Sequence, residues 1–189
     1  MSPDFQQICD AYRSELAGRS RLWCQVHPRE DDRQWTAQQL VEHLVLALRS
    51  SSRVLEARVE RGHPSRRKST LLERTLRFLV LARRRMPQGA AAPPFVRPGV
   101  LAWLAMDGAE LAALLRQELE QMDQLIDRCE DRFGRRRVAT HFLLGPMRPD
   151  QWRLFHVIHC RHHLAQLRRI QREVSQDSAV RNDLISAEQ

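Results

Sequence analysis

Apolar residues recur at helical spacing in five stretches of this chain. Phe5, Ile8, Cys9, Tyr12 and Leu16 predict a first helix over about 4–20, opened by Ser2-Pro3 and loosened near Gly18. Leu40, His43, Leu44, Ala47, Ser51 and Leu55 predict a second. Thr36 and Gln39 stand in the capping-box arrangement at its start, and Gly62-His63-Pro64 stops it near Arg61, with His63 an exposed turn residue. Leu72, Leu76, Leu79 and Val80 mark a third helix over 67–86, ended by Met86-Pro87-Gln88-Gly89. Leu111, Leu115, Leu119, Met122, Ile126 and Cys129 mark a fourth, capped by Asp107 with Glu110 three residues on. The last opens at Pro149-Asp150 and runs to about 175.

Between these helices the pattern breaks. Residues 19–34 read as an irregular link holding Trp23, His27, Pro28 and the charged run REDDR. AAAPPFVRPG forms an extended loop of the kind that borders binding sites, with Phe95 and Val96 as its anchors. His141-Phe142-Leu143-Leu144 is a short apolar link, and Gly145-Pro146 a turn. No strand signal and no internal repeat is present. The expected fold is all-α: an antiparallel four-helix bundle of 4–26, 36–61, 107–133 and 149–175, with helix 67–86 and the Pro-rich loop inserted between bundle helices two and three. One domain spans 1–176, and 177–189 is a frayed tail.

The chemistry concentrates in 152–170, WRLFHVIHCRHHLAQLRRI, which holds four of the eight histidines. His159 and His163 are four apart, so they stack on one face, with Trp152, Phe155, His156, Gln166 and Ile170 on or beside it. Arg153, Arg161, Arg168 and Arg172 fall opposite. Two inward imidazoles cost desolvation twice, and a divalent cation is one common compensation. A metal site of zinc type needs about three protein ligands. His43, on the inward stripe of the second helix, is the best third candidate. The residues alone leave two readings open: a three-nitrogen metal site, or core histidines satisfied by hydrogen bonds.

Other candidates are weaker. His156, three before His159, is the one catalytic candidate, either behind the ligands or as a pocket-lining acid or base, and is expected partly buried at the mouth. His162 points about 100° from His163, toward the surface or an interface. Gln166, one turn after His163, could orient a ligand or contact substrate. Cys160 stands where HExxH enzymes place their Glu, so a zinc-protease mechanism lacks its base. Cys9, Cys24, Cys129 and Cys160 show no CxxC spacing and read as reduced thiols.

At 189 residues and 42% hydrophobic content the chain can bury a core, and no apolar run reaches the roughly 20 residues of a membrane span. The early residues lack a signal-peptide stretch, so the expected location is the cytoplasm. The net charge of +8 permits binding to nucleic acid or other anions. Its charges, however, are interspersed with acids. The blocks Arg66-Arg67-Lys68, Arg83-Arg84-Arg85 and Arg135-Arg136-Arg137 lie near helix ends, where basic residues are commonly solvated. A basic interaction module contacting nucleic acid is the alternative to the metal reading.

Taken together, Met86-Pro87-Gln88-Gly89, Pro93-Pro94-Phe95, the LVEHLVLAL helix and HVIHCRHHLAQL resemble the DinB-like superfamily over nearly the whole chain, and within it the bacterial branch with a MPxG…PPF loop and a HxxHCRHHLxQ helix. That resemblance implies a four-helix bundle holding a divalent metal, often nickel or zinc, on three histidines that match His43, His159 and His163. It also implies thiol-dependent chemistry: a small-molecule thiol and an electrophile, as in bacillithiol and mycothiol S-transferases and a mycothiol-dependent isomerase. Homodimers are common in the superfamily.

Overall fold

The computed structural model describes residues 1–28, 34–87, 91–99 and 103–187, with side chains through 175. Among these residues six α-helices and one short hairpin follow in order: α1 Pro3–Leu16, α2 Arg21–Gln25, α3 Ala37–Arg61, α4 Leu71–Ala82, α5 Gly108–Phe133, β1 Ala139–His141, β2 Gly145–Met147 and α6 Pro149–Ala187. Helices α1, α3, α5 and α6 pack on one another as the expected bundle, and α4 with the Pro-rich segment stands between α3 and α5 in sequence. The core is built from large fully buried side chains on all four, among them Phe5, Tyr12, Leu40, Leu44, Leu115 and Trp152. Tyr12 Oη donates to the Cys160 carbonyl at 3.0 Å, fixing α1 against α6.

Local chemistry sets the helix limits. Thr36 and Gln39 form the reciprocal capping box at the start of α3, and Gly62 ends it at φ 73°, a left-handed position that suits a residue without Cβ. Asp107 and Glu110 do the same for α5. Ser2 precedes α1 but makes no side-chain cap; its backbone N–H donates to buried Asp123 on α5. Asp123 also accepts from Arg153 of α6 at 2.8 Å, so one carboxylate ties three elements together. Those two donors hold its carboxyl below the usual range against the opposing effect of burial.

Several expectations need correction. The first helix stops at Leu16, because Gly18 turns left-handed (φ 70°) and Ser20 caps a new short helix, α2, inside the segment read as irregular. Helix α4 covers 71–82 instead of 67–86, since Thr70 and Glu73 form a third capping box. Its buried face is Arg77, Val80 and Leu81, whereas Leu72 is 68% exposed. The Pro-rich loop contains a 3-10 turn, Pro94–Val96, that buries Val96.

The apolar link at 139–147 is an antiparallel hairpin, pairing Ala139 with Met147 and His141 with Gly145. Arg77 reaches under it from α4, donating to the Leu144 carbonyl at 2.8 Å and the Pro146 carbonyl at 3.1 Å. Gly145 sits at φ 70°, where a Cβ would also meet the Glu73 carboxylate at 2.7 Å. The backbone of α6 remains helical to Ala187, past the expected end near 175. The side chains of that tail, the charged run at 29–33 and the Gln88-Gly89 part of the helix stop lie outside the described residues. Among the described residues no helix is long and apolar enough to cross a membrane.

Candidate metal centre

Helices α3 and α6 bring His43, His159 and His163 to one point, all three buried. His159 Nε2 lies 3.2 Å from His43 Nε2 and 3.1 Å from His163 Nε2. A tetrahedral ion with nitrogens at about 2.0–2.1 Å sets them about 3.3 Å apart, so these two spacings suit a shared cation, and all three ligand atoms lie within 4.8 Å of one another.

The groups behind the imidazoles decide which nitrogens face inward. His43 Nδ1 is 2.8 Å from the Val96 carbonyl, and His163 Nδ1 is 2.7 Å from Gln166 Oε1. Both partners only accept, so each Nδ1 carries the proton and each neutral ring turns a lone pair on Nε2 toward His159. His159 can donate to one of the two at best, and its Nδ1 is buried without a partner among the described residues. Hydrogen bonds within the trio therefore leave a buried acceptor unpaired. A cation bound to all three Nε2 atoms takes up those lone pairs, with only the His159 Nδ1–H still without a partner among the described residues.

Burial keeps these rings neutral. It lowers the pKa of His43 and places His159 well below the ordinary histidine range, with the neighbouring imidazoles adding to the effect. His163 is pushed down to about 3 by burial, then by His43 and His162. Neutral imidazole is the form that ligates.

A cavity of about 1150 Å³ opens onto the trio. Trp35, Phe95, Phe142 and Phe155 supply aromatic walls, and Trp35 packs 4.9 Å from the His43 ring. Phe95 from the Pro-rich turn meets Phe142 from the hairpin at 5.6 Å. Arg169 lines the cavity, and no carboxylate does among the described residues.

The remaining sequence candidates fall as follows. His162 is half-buried, accepts from Gln166 Nε2 at 3.2 Å and lines the cavity instead of facing an outer surface. His156, expected at the mouth, is fully buried and absent from the cavity wall; neither of its ring nitrogens has a partner among the described residues. Burial, with His141 nearby, pushes it to about 3. Cys160 is a buried thiol pushed up by burial and lies outside the histidine group. All four cysteines are free and buried. The three basic blocks are exposed. Sequence reasoning missed His141, a buried cavity residue it placed in an apolar link.

The sequence pattern of the DinB superfamily matches residues 11–167. The chain belongs to the DinB superfamily. No curated protein and no solved structure matches it. For a DinB protein the two ends of that match matter, since it encloses His43, His159 and His163 on the helices that bring them together.

Proposed function

We propose that this DinB protein binds one divalent ion, nickel or zinc, on His43, His159 and His163 and uses the adjacent cavity to join a small thiol to an organic electrophile. The convergence of three Nε2 atoms, two with lone pairs fixed by the Val96 carbonyl and Gln166, carries the reading. Three neutral nitrogen donors suit either ion and leave its charge uncompensated. When bound, the ion supplies a local +2 charge that lowers the pKa of a thiol or water beside it.

The chain's own residues do the rest. Val96 and Gln166 orient the imidazoles, and Trp35 and Phe155 shield them from bulk water. The aromatic walls hold an apolar reactant, and Arg169 favours an anionic end on either partner. The thiol proton leaves to water in the open cavity, sulfur bonds to the electrophilic carbon, and the leaving group departs with the displaced electron pair.

The test loads the protein with Ni²⁺ or Zn²⁺ and follows thioether formation between monochlorobimane and each of cysteine, glutathione and 2-mercaptoethanol. The expected result is a rate above the uncatalysed reaction with at least one thiol, abolished in His159→Ala. A rate equal to background with all three, or unchanged in that variant, overturns the proposal.

A further inference from the structure

The hairpin carries His141 to the cavity wall and holds its ring in one tautomer. The backbone N–H groups of Leu143 and Leu144 both donate to Nδ1, each at 3.2 Å. A nitrogen that accepts carries its lone pair, so the proton of the neutral ring is on Nε2. Burial keeps the ring neutral by pushing its pKa to about 4. Phe142, Phe155 and Trp152 pin it at ring separations of 4.6, 4.6 and 5.5 Å. The result is a hydrogen-bond donor fixed in position, charge and tautomer.

Nothing among the described residues takes that donor: none accepts from His141 Nε2. Nor is that atom among the sealed, unpartnered nitrogens, as those of His156 are; the ring lines the same cavity as the histidine trio. The Phe155 centroid stands 4.6 Å from that of His141 and 5.6 Å from that of His159, so a single small molecule can reach both.

We propose that His141 is a ligand-binding residue whose Nε2–H donates to a carbonyl oxygen of a small molecule with an apolar body, seated in the cavity beside the histidine trio. The donor without a partner calls for an acceptor, and the aromatic walls call for the apolar body. No carboxylate among the described lining residues competes for the proton. The inference names a recognised group for the cavity of the proposed function, and it rests on that reading only in treating the cavity as the working site.

The probe is 4-phenylbutan-2-one, with butylbenzene as the analogue lacking the oxygen, titrated into metal-loaded and chelator-treated protein. Histidine-labelled ¹⁵N spectra of the wild type are expected to show the Nε2–H tautomer at His141 and a shift of that signal as the ketone binds. His141→Phe is expected to weaken the ketone about 5–20-fold and leave butylbenzene unchanged. His141→Gln, which returns an N–H near the same place, is expected to recover most of the loss. Equal ketone affinity in wild type and His141→Phe, no ketone binding to the wild type, or a proton on Nδ1 overturns the proposal. The tautomer is read on the unsubstituted protein, so the proposal stays testable even where a variant misfolds. Failure to take up metal with these shifts intact sinks the metal reading and supports His141.

Discussion

Gln166→Leu tests the arrangement behind the proposed metal ligands with little disturbance to the fold. Gln166 is half-buried on α6, and Leu has nearly the same helix propensity, so stability is expected to hold. What changes is the partner of His163 Nδ1, now Gln166 Oε1 at 2.7 Å. Without that acceptor the ring is free to rotate or to move its proton to Nε2, where it blocks ligation. Loss of such an outer partner costs about 10–100-fold in metal affinity, equivalent to about 1.4–2.8 kcal/mol. Gln166→Glu is expected to move affinity the other way, because a carboxylate accepts more strongly and raises the basicity of the ring. Competition for Zn²⁺ against a chelating dye at pH 7.5 measures both. Equal affinities for wild type and Gln166→Leu would refute the argument that Gln166 fixes the tautomer of His163.

Other outcomes follow from the same geometry. In metal-free protein, His141 and His156 titrate near 4 and 3 when folded but near 6.5 when unfolded. The unfolded chain binds more protons in that window, so the stability they protect is present above about pH 6.5 and lost as pH falls. His159 and His163, held low in the same way, add to the effect, so denaturant melts at pH 7.5 and 5.5 should differ by more than about 3 kcal/mol, a gap that His156→Leu narrows by about 1.4 kcal/mol. Arg77→Met strips the Leu144 and Pro146 carbonyls of a buried donor and should cost about 2–5 kcal/mol in the same assay. Metal at a hundredfold excess over its Kd adds about 2.7 kcal/mol, so a chelator should lower the melting temperature by about 6–10 °C, and by nothing in His159→Ala.

The bundle was legible because long helices announce themselves through 3.6-residue spacing and capping boxes, as at Thr36-Gln39 and Asp107-Glu110. The convergence of the histidine trio was legible for a related reason. His159 and His163 sit one turn apart on an apolar face, and His43 lies within a mostly apolar stripe, so both patterns point the rings inward. The hairpin was not legible: strands of three residues are too short for alternation to register, and Pro146 argues against a strand. With the hairpin went His141, whose ring is packed against Trp152 and Phe155 of α6. The buried face of α4 was misjudged because Arg77 is anchored by carbonyls sixty-odd residues away in sequence, which no local pattern reports. Val96 and Gln166 were recognised as an anchor and an orienting residue. Their pairing with particular ring nitrogens needed coordinates.

Elemental analysis of the purified protein, repeated on His43→Ala, His159→Ala and His163→Ala with helicity checked by circular dichroism, tests the central claim most directly. The account predicts about one divalent ion per wild-type chain, with binding lost in His159→Ala and at least tenfold weaker in the other two. A folded wild-type protein that holds no ion after equilibration with Zn²⁺ or Ni²⁺, or an ion that stays in place in all three variants, would contradict it.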